Sequence, residues 1–165
     1  MPVTINGTNG LVTATTFSGS SLSGIDTGKI LQVVSVDIVN TAITTSSNSF
    51  VSMNRSISIT PSATTSKIFI LMTGGGTYLP TSQAFGYVTV YRGSTNLGDP
   101  SNGLEGFYNT GTSYAIVPHS LSVHDSPNTT SATTYTIYAR ATAGTYQFLE
   151  NDRPHITLTA MEIAA

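Results

Sequence analysis

The arrangement of apolar residues from Lys29 onward constrains the fold most. These residues either alternate with hydroxyl-bearing residues or form short runs, and no segment repeats with the 3.6-residue period of a helix. β-Branched residues dominate the segments, and Gly, Pro and Asn separate them, as in strands joined by turns. The predicted strands are Ile30–Val39, Ser56–Thr60, Lys67–Met72, Phe85–Arg92, Tyr114–Val123, Thr133–Ala141, Tyr146–Leu149 and Ile156–Ile163. The sequence therefore predicts an all-β fold, an antiparallel β-sandwich that is jelly-roll-like.

Three segments allow more specific predictions. Ile30–Val39 is β-branched and long enough for a central strand. Lys67–Met72 is continuously apolar, which predicts a strand buried on both faces. The glycines Gly74–Gly76 that follow predict a strand end or a β-bulge, because no phosphate-binding Gly-Lys-Ser/Thr motif comes after them.

The composition limits the possible functions. Charged residues make up only 8% of the 165 residues, against about 25% in an ordinary soluble domain. Few titratable groups remain for acid–base chemistry, so we expect a protein that is not an enzyme. The chain has no Cys, which excludes disulfides and thiolate metal sites. A net charge of −2 gives no electrostatic footprint for nucleic acid, and no apolar run is long enough for membrane insertion.

The first 28 residues differ in composition from the rest. They consist mainly of Gly, Ser, Thr and Asn with isolated apolar residues. One interpretation is a flexible tail, and the other is an extended N-terminal arm that anchors residues 29–165, the head domain, to another protein. The predicted anchor residues are Val3, Ile5, Leu11, Val12, Phe17, Leu22 and Ile25.

Catalytic and metal-binding patterns are weak. His119 and His124 would point to opposite faces of one strand, because they lie five residues apart. Glu150 and Asp152 are too close in sequence to flank a sugar as a glycosidase pair does. His155 has no partner pattern of its own. We therefore predict no catalytic residue, no metal and no cofactor.

Aromatic residues supply the remaining candidates. Phe85, Tyr87 and Tyr91 share one strand face, which we expect to pack between sheets or along a trimer axis. Other tyrosines occur among Gly, Asn and Ser, where rings beside amides and carboxylates suit sugar recognition. The candidate glycan-binding residues are Asp99, Asn102, Tyr108, Asn109 and Tyr114.

Several segments of the sequence resemble segments of proteins from a known family. They are residues 28–34 (GKILQVV), residues 58–68 (SITPSATTSKI), residues 124–127 (HDSP) with 135–138 (YTIY), and residues 156–164 (ITLTAMEIA). The chain resembles the virion structural or tail-fibre-like surface proteins of marine tailed phages of the cyanophage type. This resemblance implies a homotrimeric β-sandwich displayed on the virion, in contact with other capsid or tail proteins. Fibre chains of this family are usually much longer, which favours a short knob or decoration protein.

These observations predict a non-enzymatic phage virion protein. In this hypothesis a trimeric capsid-decorating knob, cement or short-fibre protein is held by its arm. The start of the chain, Met1–Asn6, lacks the basic and apolar regions of a secretory signal, so we expect synthesis in the host cytoplasm and a final location on the virion surface. The alternative is a tail-fibre receptor-binding tip that recognises host surface glycans.

Overall fold

The computed structural model describes residues 29–38, 42–80, 83–111, 115–148 and 155–165. These residues form strands without a helix, so the predicted all-β class is confirmed. The strands are β1 (Ile30–Ile38), β2 (Ile43–Thr45), β3 (Val51–Ile59), β4 (Lys67–Leu79), β5 (Ala84–Arg92), β6 (Thr95–Asn96), β7 (Glu105–Asn109), β8 (Ala115–Asp125), β9 (Thr133–Ala141), β10 (Tyr146–Phe148) and β11 (Ile156–Ile163).

Two antiparallel sheets pack against each other. In the first sheet, β1 and β2 share one edge, β11 and β10 lie beside them, β4 comes next and β8 forms the other edge. In the second sheet the order is β3, β9 and β5, with β6 and β7 sharing the far edge. If β1/β2, β6/β7 and β10/β11 are each counted as one interrupted strand, the sandwich has eight strands, four in each sheet. Numbered from 1 to 8 along the chain, they lie in the order 1-8-3-6 in the first sheet and 2-7-4-5 in the second. This is the strand order of a jelly roll, so the predicted β-sandwich is confirmed.

The core lies between the sheets and follows from alternation along the strands. Ile57 and Ile59 of β3 are buried and the serines beside them are exposed. In β9, Tyr135, Ile137 and Ala139 are fully buried, whereas the residues between them are half-buried. The first sheet contributes Ile68, Ile70, Met72, Ile156, Leu158 and Ala160. The inner faces therefore build the core, and the two outer faces are left for function.

The strand β4 is longer than the sequence predicts. It continues through the glycines to Leu79, and its register with β8 shifts between Gly74 and Thr77, so the predicted bulge is confirmed. Gly74 has φ 90° and Gly75 has φ 60°, a left-handed backbone that glycine adopts without strain. The partner of β4 changes from β11 to β10 at this point. The bulge therefore lets one long strand pair with two shorter ones.

The strand β1 lies at an edge, so its predicted central position is wrong. Among the described strands it pairs only with β11. Ile30 and Val33 are 54% and 56% exposed. β-Branched residues suit any pleated surface that is partly covered, so their presence does not distinguish a central strand from an edge strand.

A buried carboxylate closes one end of the sandwich. Glu162 of β11 is 1% exposed, and its Oε1 accepts hydrogen bonds from the backbone N–H and the hydroxyl of Ser62, both at 2.7 Å. The side-chain amide of Gln32 donates to its Oε2 at 2.8 Å. Burial alone would raise the pKa of Glu162, but hydrogen bonds from Ser62, Ser66 and Gln32 outweigh burial and lower the pKa to about 2. The carboxylate thus fastens the β3–β4 loop to the edge of the first sheet.

Candidate functional site

The outer face of the second sheet carries a continuous line of aromatic rings. Phe85 of β5 lies between two other rings, with its centroid 4.3 Å from Tyr108 and 5.5 Å from Tyr87. Phe85 is 39% exposed and Tyr108 is 46% exposed. We call this line the aromatic stripe, and its members are Tyr108, Phe85, Tyr87, Phe50, Tyr91 and Tyr138.

A cation joins the two halves of the aromatic stripe. The guanidinium carbon of Arg140 lies 4.5 Å from the ring centre of Tyr87 and 5.6 Å from that of Phe50. Beyond it, Tyr91 lies 6.5 Å from Phe50 and stacks on Tyr138 at 4.0 Å. Arginine held against aromatic faces in this way has a restricted orientation. The stripe therefore presents a positive charge near its centre.

The strand β5 supplies three rings of the aromatic stripe. Phe85, Tyr87 and Tyr91 share the outer face, whereas Val88 and Val90 are fully buried on the inner face. Of the two roles predicted for these rings, packing between the sheets is wrong, because the small valines hold that position. Their role along a trimer axis stays a prediction.

An open cleft of about 430 Å³ lies at one end of the aromatic stripe. The β2–β3 loop contributes residues 48–50 to its wall, and the β6–β7 loop contributes Pro100 and Ser101. Tyr91 and Arg140 rise into it from the sheet. The volume lies in the range of small-molecule sites. This cleft is a candidate binding site.

Arg140 holds the two walls of the cleft in place. Its Nε donates to the carbonyl of Ser101 at 2.8 Å, and its Nη2 donates to the same oxygen. Its Nη1 donates to the carbonyl of Asn48 at 3.2 Å. Because one planar guanidinium reaches both loops, the cleft is preorganised by the strand beneath it.

The predicted glycan-binding residues do not form one site. Asp99 and Asn102 belong to the β6–β7 loop beside the cleft, where Asp99 Oδ1 accepts the backbone N–H of Asn102 at 2.7 Å. Tyr108 lies at the opposite end of the aromatic stripe. Tyr114 lies outside the described residues. Asn109 is 2% exposed and donates to the carbonyl of Leu79 at 2.8 Å, so its prediction as a ligand-binding residue is wrong.

Sequence reasoning missed Phe50 and Arg140, the two residues that connect the aromatic stripe to the cleft. Arg140 carries a detectable signal, because it ends an alternation in which Thr134, Thr136 and Tyr138 take the same outward face. A single arginine on a strand face of hydroxyl-bearing residues stands out in the sequence as a candidate functional residue. Phe50 has no such signal, since it precedes β3 in a serine-rich loop.

A second candidate surface crosses the outer face of the first sheet. The register places Val33 opposite Met161 and Met161 opposite Phe69, and we call these three residues the apolar row. Val33 is 56% exposed, and the other two are half-buried. The Phe69 ring lies 4.8 Å from the ring of His124 on β8. The prediction that Lys67–Met72 is buried on both faces is therefore wrong, because its outer side chains reach the surface.

A chain of buried polar groups links the two sheets. The hydroxyl of Tyr146 lies 2.7 Å from Thr77 Oγ1, which lies 2.8 Å from His119 Nε2. His119 Nδ1 lies 2.8 Å from the carboxylate of Glu105. Because a carboxylate only accepts, the proton in the contact with Glu105 is on Nδ1 of His119.

The order of hydroxyl, imidazole and carboxylate in this chain is also that of a hydrolase triad. However, Thr77 is 1% exposed and His119 is 2% exposed, so the hydroxyl is enclosed in the core. The arrangement satisfies buried polar groups that would otherwise destabilise the sandwich. We assign it a structural role.

A second polar link lies at the C-terminal end of β8. Arg92 Nη1 donates to Asp125 Oδ2 at 3.1 Å, and the hydroxyl of Tyr135 donates to the same oxygen at 2.8 Å. Burial raises the pKa of Tyr135 far above its usual value, and the hydrogen bond to Asp125 adds to the shift. The strand β8 is thus tied to the second sheet near its middle, through His119, and at its last residue, Asp125.

Metal ligation finds no support in the described parts of the chain. No group of three or more His, Asp or Glu side chains there could hold an ion. His119 is buried and His124 is exposed on the opposite face of β8, as predicted, and His155 is exposed. Glu150, Asp152 and the predicted anchor residues of segment 1–28 lie outside the described residues.

Comparison with known proteins gives no family. No protein-family model matches the chain, and no curated protein matches it. Over the described ranges, no helix is long and apolar enough to cross a membrane. The function must therefore be argued from the fold, its two outer faces and the resemblance of the sequence phrases.

Proposed function

We propose that this protein is a non-enzymatic structural protein of a tailed-phage virion, displayed on the particle surface as a homotrimer. The sequence phrases that resemble virion surface proteins support this proposal. The jelly roll supports it too, because viral capsid proteins use this architecture, although fold alone does not determine function. The charge-poor composition suits surfaces that pack against copies of themselves.

The observation that carries the proposal is the apolar row beside the open edge of β1. Val33, Met161 and Phe69 form an apolar surface that crosses three strands, and the next strand position beyond β1 is unpaired among the described residues. Exposed apolar surface of this kind marks interaction sites. A subunit interface of standard size buries about 800 Å² per partner, and we expect this face to supply it.

The role on the particle is capsid decoration, as a knob or cement protein, or a short fibre. Segment 1–28 would anchor the head to the capsid or to a tail protein. The decisive experiment is to count copies per particle in purified virions, by quantitative mass spectrometry against the major capsid protein. A copy number on the scale of the capsid lattice supports decoration, and a handful of trimers supports a fibre or vertex appendage. Absence from virions would overturn the proposal.

Self-association through the apolar row can be tested directly. Val33→Lys places a charge at the exposed end of the apolar row, within the proposed interface, and light scattering after size-exclusion chromatography should then report monomers. Val33→Thr keeps the shape and the β-propensity of the side chain and serves as the matched control. If Val33→Lys associates as the wild type does, this surface is not the interface.

A second candidate function is glycan recognition by the receptor-binding tip of a tail fibre. The aromatic stripe favours it, because rings such as Tyr108 and Phe85 are exposed side by side and can cover the apolar face of a sugar. The purified protein should then compete with phage for adsorption to host cells. A protein that binds no host surface would remove this candidate without affecting the structural role.

A further inference from the structure

Arg140 is a cation without an anionic partner among the described residues. Its guanidinium has five N–H donors, and three hydrogen bonds use them on the carbonyls of Ser101 and Asn48. Two N–H groups therefore remain without a protein acceptor in the described parts of the chain. Arg92, by contrast, forms an ion pair with Asp125 at 3.1 Å.

The surroundings fix the charge of Arg140 without neutralising it. In the adjacent β6–β7 loop, Asp99 Oδ1 accepts the backbone N–H groups of Ser101 and Asn102, at 2.9 Å and 2.7 Å. The rings of Tyr87 and Phe50 flank the guanidinium. A half-buried cation that keeps its orientation and has spare donors is preorganised for an anionic ligand.

The side chains that line the cleft suit a sugar. Two rings, Phe50 and Tyr91, border it, and the short polar side chains of Asn48 and Ser49 precede Phe50 on the β2–β3 loop. Rings can cover the apolar face of a sugar while amide and hydroxyl groups bond its hydroxyls. The two spare donors of Arg140 match the geometry of a carboxylate.

We propose that this cleft binds an acidic saccharide, with a uronic-acid carboxylate on Arg140 and the sugar ring against Tyr91 and Phe50. The proposal deepens the glycan-recognition candidate and rests on it. It also changes the location of the site. Tyr108 lies at the far end of the aromatic stripe, beyond Phe85 and Tyr87, and takes no part in binding.

The test adds a charge to the cleft without disturbing its structure. Ser49 is exposed, and its side chain makes no hydrogen bond within the described residues. Ser49→Asp places a carboxylate beside Arg140, and Ser49→Asn is a neutral control of the same shape. Titration calorimetry compares oligomers of galacturonic acid with oligomers of galactose, which lack the carboxylate. Circular dichroism verifies that each variant is folded.

Four results are expected. The wild type binds the acidic oligomer, and more tightly than the neutral one by about tenfold or more, as removal of one buried charge-assisted contact predicts. Ser49→Asp loses at least about tenfold in affinity for the acidic oligomer, and Ser49→Asn loses little. High salt weakens binding of the acidic oligomer, and Tyr108→Ala leaves binding unchanged.

Other results would overturn the proposal, and they separate it from the roles above. Equal affinity for both oligomers would refute the acidic class while glycan recognition survives. Loss of binding in Tyr108→Ala, with Ser49→Asp unaffected, would move the site to the other end of the aromatic stripe. No binding of either sugar would remove both the cleft proposal and the glycan candidate, and the copy number in virions would still decide the structural role.

Discussion

Replacing Glu162 by Gln tests how much one buried carboxylate contributes to the stability of the sandwich. In the wild type, Oε1 accepts two hydrogen bonds from Ser62 and Oε2 accepts one from Gln32. The glutamine side chain keeps one acceptor but turns an NH2 group toward donors. Hydrogen bonds to a charged group contribute about 1.5–3 kcal/mol each, so a loss of about 3 kcal/mol at pH 7 is expected.

The pKa of Glu162 gives a second route to the same magnitude. It falls from its ordinary value of 4.5 to about 2 in the folded protein, and at 1.36 kcal/mol per pH unit this gap corresponds to about 3 kcal/mol. Because the folded pKa is the lower one, the stabilisation is present above about pH 5 and is lost as the pH falls toward 2. About 1 kcal/mol of it should be lost by pH 3.5.

Urea unfolding of wild type and Glu162→Gln, followed by circular dichroism at pH 7 and pH 3.5, measures both quantities. All samples have the same protein concentration, because self-association would shift apparent stability. Asp37→Asn is the control, since Asp37 is exposed and accepts one hydroxyl bond, from Thr157. A difference between wild type and Glu162→Gln below about 0.5 kcal/mol, or one that does not narrow in acid, would refute the reasoning.

Three further perturbations test other parts of the structure. Thr77→Val removes the hydroxyl shared by His119 and Tyr146 and should cost about 1–3 kcal/mol in urea unfolding; an unchanged midpoint would contradict the buried chain. Gly86→Ala would place a Cβ 2.2 Å from a ring carbon of Tyr146. We therefore expect the free energy of unfolding to fall by about 1–3 kcal/mol, or the variant not to fold. Ser58→Ala, at an exposed position, is the control and should have a small effect. Deletion of residues 1–28 should leave a folded, self-associating head that no longer enters virions, and normal incorporation would disprove the anchor.

The sequence predicts strands well where packing imposes a simple alternation. The serine and isoleucine pattern at Ile57 and Ile59 places both isoleucines in the core, as observed. Prediction from sequence fails where a strand is stabilised by pairing with its neighbour although its own residues have low β-propensity. Residues 105–109 contain Gly and Asn and read as a loop, yet β5 pairs with all five of them as β7. The partner strand, which no local pattern encodes, determines the conformation there.

The candidate site depends on contacts that a linear pattern cannot contain. Alternation places Phe85, Tyr87 and Tyr91 on one face, but it does not reveal which face of the sheet meets the core. The cleft needs loops near residues 48 and 101 that meet over Arg140. These loops are brought together by the jelly-roll strand order, so their proximity was not predictable from short-range spacing.

The placement of polar contacts between the sheets has a consequence for the conditions that the protein withstands. Arg92 forms an ion pair with Asp125 and His119 donates a hydrogen bond to Glu105, and each contact connects one sheet to the other. Dissolved ions screen exposed charges far more than partly buried ones, and with 8% charged residues the surface offers few charges to screen. The stability of the fold should therefore change little between dilute buffer and concentrated salt, which urea unfolding at several ionic strengths would measure.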